Sequence, residues 1–350
     1  MVVRRCYIRN VTAVVWVPGP SQRGLCDRLS SERLKKPYRG LVVRTVKEFL
    51  DATRDPKTIS FLDRTTVAEC ADIANISLPG PVIAICDEPL QTAISWLQPH
   101  PWISHVLSAT TLDHPMAEEH LENVLRTLTA GGQPRLLDWL GPSVAGRRIR
   151  LTHASRRVQR LERMGEWFES KSVGARTVEH LRDAAEELLT NAFYDAPVAA
   201  GVMKKPVSRT QDVALPDDSA CDLAYGCRED LAIVRVRDPF GSLSRQRLVE
   251  VLTRCSRTDM QVEVDETMGG AGLGMWRIFS NASFVAVSVV NGRHTEVLVG
   301  IAKRATAGPR PFAFHFFFTE GEKKRFWKLS DEETSKPSLN KSVMIVSRAK

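Results

Sequence analysis

The sequence predicts an α/β chain of two domains, and three observations carry that prediction. Over roughly the first 130 residues, short apolar strand-like runs alternate with helical periods. A break, Gly131-Gly132-Gln133-Pro134, then interrupts the pattern. Beyond it, a helix with a polar stripe, a strand ending in an aspartate and a glycine cluster follow in order. A chain of 350 residues has room for two ordinary cores.

In the first part the apolar patterning predicts strands over 12–17, 40–45, 58–62, 81–86 and 104–110. Helices are predicted over 21–36, 46–53, 67–76, 90–97 and 116–127. Apolar strands separated by helical periods imply a parallel sheet covered on both faces. Five such units resemble a response-regulator receiver domain, a flavodoxin-like fold. In that resemblance Asp63, at the end of the third strand, holds the phosphoacceptor place. The acid pair expected after the first strand is absent, since Val17-Pro18-Gly19-Pro20 stands there, and no lysine follows the fifth strand. Mg²⁺ would lack ligands and a phosphoryl group would lack its counter-charge. The domain therefore reads as a degenerate receiver used for docking, with Asp63 a plain strand-end residue whose loss leaves stability unchanged.

Residues 131–146 read as a linker. A strand over 147–152, Ser155 as a helix cap, a helix over 158–168 and a further helix from 178 follow. On that last helix Glu187, Asn191 and Asp195 recur every fourth residue, with Leu188, Leu189 and Ala192 on its other sides. A solvated polar face would show the same spacing. A carboxylate one turn before a carboxamide also suits a magnesium-nucleotide site, because the Asn oxygen is a hard Mg²⁺ ligand and Glu can deprotonate a hydroxyl.

Downstream, Leu231 to Asp238 alternates so that Val234, Val236 and Asp238 share a face, which sets a carboxylate at the end of an apolar surface. Gly269-Gly270-Ala271-Gly272-Leu273-Gly274 then precedes an apolar helix over 273–279, freeing backbone N–H groups to approach phosphates. The polar, acidic stretch before it excludes a Rossmann strand, and no Walker A lysine motif is present. Residues 198–217 read as an extended loop or irregular insertion. Strands are expected over 283–288, 296–301, 312–318 and 343–346.

Together these pieces resemble the histidine-kinase-like (GHKL) ATPase superfamily, closest to anti-sigma-factor serine/threonine kinases. The resemblance spans about residues 146–303 and implies an α+β two-layer sandwich that binds ATP and Mg²⁺. It implies that Asn191 holds Mg²⁺, Glu187 activates the acceptor hydroxyl and Asp238 reads adenine. Gly270, Gly272, Leu273 and Gly274 would wrap the phosphates, residues 244–268 would form the lid, and Gly241 and Thr295 would complete the pocket. The first glycine box departs from the family pattern, reading Asp238-Pro239-Phe240-Gly241-Ser242. That departure supports a second reading, a non-catalytic nucleotide-gated interaction module. The domains then run 1–130, 131–146 as linker, 147–318 and 319–350 as a basic tail.

Hydrophobic content of 43% with 26% charged residues fits a globular chain. No apolar run reaches membrane-span length, and Met1-Val-Val-Arg-Arg-Cys-Tyr7 lacks a signal-peptide core, so a cytoplasmic location without membrane association is expected. Seven scattered cysteines lack zinc or redox spacing and read as reduced. Much of the +8 net charge sits in the tail, which reads as solvated rather than as a nucleic-acid surface. His153 and His180 lack the setting of a phosphoacceptor, and His315 reads as packed. The expected partner is a protein, a regulator of the sigma or anti-sigma type, or a second copy of the chain.

Overall fold

The computed structural model describes residues 12–16, 38–71, 78–88, 90–114, 116–141, 144, 146–256, 273–304, 311–321 and 343–345. The chain divides into two compact units, one of Met1–Glu88 with His100–Gly132, the other of Pro89–Pro99 with Gln133–Lys350.

In the first unit β1 (Thr12–Trp16), β2 (Tyr38–Val42), β3 (Ile59–Leu62), β4 (Val82–Cys86) and β5 (His105–Ser108) form a parallel sheet in the order 2-1-3-4-5. The whole of β4 is buried, as its unbroken apolar run requires of a strand covered on both faces. Helices α1 (Val46–Ala52) and α2 (Arg64–Ala71) lie between these strands in sequence. The expected helix over 21–36, the turn at Val17 to Pro20 and the end of the 67–76 helix lie outside the described residues.

Asp63 does more than end a strand. It is buried, and its Oδ1 accepts from the Thr66 amide and hydroxyl, both at 2.9 Å, capping α2. The expectation that its removal leaves stability unchanged is therefore corrected. The strand expected to reach residue 110 stops at Ser108, because the Ser108 hydroxyl accepts from the Thr111 amide and starts the short helix α4 (Ala109–Asp113). Helix α5 (Ala117–Thr129) completes the unit, burying Leu121, Val124 and Leu125 at helical spacing.

The segment between β4 and β5 belongs to the second unit. There α3 (Leu90–Ser95) packs against α10 (Arg245–Ser256), and Arg245 Nη2 donates to the Leu97 carbonyl at 2.8 Å. Residues 136–140, read as linker, form α6 (Leu136–Leu140), whose Trp139 stacks on Phe284 with ring centroids 4.4 Å apart. Apolar side chains on one face make it part of the core rather than a tether.

The second unit's sheet has the order β12-β6-β7-β8-β10-β9-β11. Its strands are β6 (Gly146–Leu151), β7 (Cys221–Cys227), β8 (Leu231–Asp238), β9 (Phe284–Val290), β10 (His294–Ala302), β11 (Ala313–Thr319) and β12 (Val343–Ile345). Neighbours are antiparallel except β9 and β11. Helices α7 (Arg157–Glu169) and α8 (Ala175–Thr190) pack together, and Trp167 and Phe168 lie against Tyr225 of β7. Helix α11 (Leu273–Asn281) packs on α8. Ser155 is no helix cap: it sits inside the 3-10 turn Ala154–Arg156, and its amide and hydroxyl both donate to Asp212. His315 is fully buried in β11, as read.

Arginines on the β strands face a buried charge network. Arg148 forks onto Asp222 at 2.6 and 3.2 Å, and Arg235 pairs with Glu296 at 3.2 Å. Arg237 donates to His294 Nδ1 at 3.0 Å, which makes the histidine an Nε2–H tautomer that donates to Gln133 Oε1 at 2.6 Å. That pair ties the start of the second unit to β10.

Candidate functional site

The helix carrying Glu187 does not continue as a uniform α-helix. Asn191–Asp195 is a π-turn, closed by the Ala196 amide donating to the Asn191 carbonyl five residues back. Pro197 explains it. Proline has no N–H for the Phe193 carbonyl, and its ring crowds that oxygen, so the turn before it widens. In an α-helix four residues overshoot one turn, whereas in a wider turn they fall slightly short. The drift from Glu187 to Asn191 is thus reversed from Asn191 to Asp195, which tightens the polar stripe. All three side chains are half-buried.

Within this stripe the Asn191 side chain lies beside the Glu187 carboxyl and favours its ionised form. Glu187 also lies against Gly274: a β-carbon on that glycine would stand 2.1 Å from Cδ and 2.2 Å from Oε2. Glycine at this place is what lets the first turn of α11 close onto the carboxyl. Burial pushes the Glu187 carboxyl above its ordinary range, with Arg209 pulling the other way. Asp195 is likewise raised by burial, opposed by Arg209 and by Arg247 of α10.

Arg209 is the residue that spacing could not find. Its Nη2 stands 3.5 Å from Asp195 Oδ2. It arrives on the stretch over 198–217, which the structure clamps rather than leaving loose. The Tyr194 hydroxyl donates to the Gln211 carbonyl at 2.7 Å, Asp212 accepts from Ser155, and the amides of Leu215 and Ala154 bond the Thr152 and Val213 carbonyls. Such contacts join distant segments and leave no periodic trace in the sequence. Pro197 was the readable signal for the π-turn.

Asp238 sits at the end of β8, buried, with Thr295 of β10 as its register partner. Its Oδ1 accepts from the Phe240 amide at 2.8 Å and the Gly241 amide at 3.2 Å. Burial pushes the carboxyl up to about 6, against the pull of those amides and of Thr295. The buried Thr295 hydroxyl makes no hydrogen bond of proper length and angle. The Ser242 hydroxyl donates to the Ala196 carbonyl at 3.1 Å, which joins the turn after Asp238 to the end of the π-turn.

Gly241 has φ +63°, and a β-carbon there would meet the Val290 carbonyl at 2.2 Å and the Arg293 and His294 amides at 2.8 Å. It packs the turn against the β9–β10 hairpin. Leu273 is the exposed first residue of α11. Gly270 and Gly272, like residues 257–268 of the expected lid, lie outside the described residues.

Among the described residues no group of three or more His, Cys, Asp or Glu side chains could hold a metal. The Asn191 oxygen fits a different arrangement, in which Mg²⁺ takes one or two protein ligands and completes its shell with phosphates and water. The Asp238 carboxyl, with the Thr295 hydroxyl beside it, fits a base bearing an exocyclic amine. No helix among the described residues is long and apolar enough to cross a membrane. No protein-family model and no curated protein matches this chain.

Proposed function

We propose that the second unit binds Mg-ATP and directs its phosphoryl group to a serine or threonine hydroxyl of a cytoplasmic protein partner, a regulator of the sigma or anti-sigma type. The observation that carries this reading is the meeting of Glu187, Asn191 and Gly274 in the first turn of α11 at one half-buried spot. Bound ATP supplies the phosphoryl group, and Mg²⁺ offsets its charge. Asn191 Oδ1 ligates the metal. Glu187, held proton-hungry by burial, takes the acceptor hydroxyl's proton as that oxygen bonds phosphorus and the terminal phosphoanhydride bond breaks. Asp238 accepts from the adenine amine, and guanine would present a carbonyl oxygen there instead. Arg209 and Arg247 lie on the Asp195 side, where they can meet phosphate oxygens.

The second reading, a nucleotide-gated interaction module without transfer, rests on the turn after Asp238. It commits Oδ1 to two backbone amides and packs Gly241 on protein, which narrows the wall a nucleotide would use. Titration with ATP and GTP, with and without Mg²⁺, tests binding, and γ-phosphate transfer to co-purified partners tests chemistry. A kinase loses transfer and keeps binding in Glu187→Ala. Asn191→Ala loses the Mg²⁺ dependence under both readings. Equal ATP and GTP affinity would remove the role given to Asp238.

A further inference from the structure

Away from that site, arginines gather around one buried hydroxyl. Tyr225 of β7 is buried, its ring held by Trp167 and Phe168 at centroid distances of 5.2 and 5.5 Å. Its register partner on β6 is Arg147, so that side chain leaves the same face of the sheet beside the phenol. Helix α7 presents Arg160 and Arg163, with Arg156 one turn earlier in the 3-10 turn. Counting from Arg156, the spacing i, i+4, i+7 continues to Trp167 at i+11 and makes one stripe over Tyr225.

Two features set this cluster apart from a solvated basic face. None of the four arginines forms an ion pair with a carboxylate among the described residues, although carboxylates answer Arg148, Arg157 and Arg235 nearby in the same unit. Arg160, 8% exposed, and Tyr225 each bury a polar atom, Nε and the hydroxyl, with no hydrogen bond of proper length and angle, and the Arg147 guanidinium lies beside that hydroxyl. Arg147, Arg156 and Arg163 are exposed, so the cluster opens to solvent. Like charges crowd here: the Arg160 guanidinium is pushed down by burial and by Arg163 and Arg156.

We propose that Arg147, Arg160, Arg163 and the Tyr225 hydroxyl bind a phosphate monoester dianion. The donors converge from a strand and a helix and outnumber what a single carboxylate accepts in one plane. A phosphate offers three terminal oxygens and up to two charges, and guanidinium forks match it in pairs. Tyr225, wedged between two rings, holds its hydroxyl in place with little loss of freedom on binding. The phosphate could belong to a free metabolite or to a phosphorylated side chain of a protein, and the chemistry of the site is the same for both.

The test uses the full chain and calorimetric titration with inorganic phosphate and with a phosphoserine pentapeptide flanked by alanines. The serine and glutamate versions of the peptide serve as controls. Binding of phosphate or phosphopeptide, at least tenfold tighter than either control, is expected. Arg163→Gln and Arg147→Gln, both at exposed positions, should each weaken it at least tenfold while Mg-ATP affinity stays at the wild-type value. Tighter binding of the phosphopeptide than of inorganic phosphate would identify a protein source, and the reverse a small molecule. Absence of binding by both phosphate probes, or binding that both variants leave intact, would overturn the proposal.

Discussion

The Glu187 carboxyl rests on the Cα of Gly274, close enough that a β-carbon there would stand 2.1 Å from Cδ. Two helices far apart in sequence are thus brought together at the one carboxylate assigned to take the acceptor proton. The overlapping atoms are the mobile end of a side chain, and alanine favours a helix over glycine by up to about 1 kcal/mol. Gly274→Ala should therefore leave the thermal midpoint unchanged or slightly raised. It should lower phosphoryl transfer by roughly 10²-fold or more, the share a positioned general base contributes. Thermal denaturation beside a transfer assay reads both, and a wild-type transfer rate would detach Glu187's placement from the chemistry.

Asp238 predicts a pH dependence with a definite sign. Its carboxyl titrates at about 6 in the fold against 3.8 ordinarily, so between those values the folded chain holds a proton that the unfolded chain has released. Its contribution to stability is full below pH 4 and is lost as pH rises through 6, amounting to about 3 kcal/mol. Accepting an amine needs the ionised form, so ATP affinity should move the opposite way and rise across the same window. Asp238→Asn should flatten both curves. Denaturant titrations and ATP binding measured from pH 4.5 to 7.5 supply the comparison.

Gly241→Ala should destabilise the second unit without touching nucleotide chemistry directly. The φ of +63° alone costs a residue with a β-carbon roughly 1–3 kcal/mol. Backbone atoms at 2.2 and 2.8 Å cannot yield as a side chain can. A loss of at least about 2 kcal/mol in denaturant unfolding is expected. A neutral result would mean that the turn after β8 and the β9–β10 hairpin separate readily.

Asp63 should prove a structural cap rather than a phosphoacceptor. Removing its carboxyl leaves the Thr66 amide and hydroxyl without their acceptor, so Asp63→Ala should cost about 1 kcal/mol. Acetyl phosphate with Mg²⁺ should leave the intact mass unchanged. A mass gain that disappears in Asp63→Ala would make the first unit a phosphorylation switch instead.

Much of the chain was readable from local order. The buried run of β4 and the alternation in β8 are short-range signals, because strand burial imposes them on neighbouring residues. The Glu187–Asn191 pair was legible for the same reason, since one helical turn relates them. Pro197 sat in plain view as the cause of the π-turn, yet its effect falls on the carbonyl four residues earlier, where side-chain periodicity carries no mark.

The sequence by itself determined which charged and amide side chains share a helical or strand face and which elements carry them, because side-chain periodicity is a property of consecutive residues. Only the tertiary structure decided which of them meet. It set Gly274 on Glu187, put Thr295 opposite Asp238 through strand register, and brought Arg209 to Asp195 on a clamped loop. It also gave α3 and α6 to the second unit, where buried apolar faces outweighed the place of α3 in the alternating pattern and of α6 in the expected linker. Each of these contacts joins segments with no fixed spacing in the chain, so its energy comes from packing and desolvation that exist only once the fold has closed.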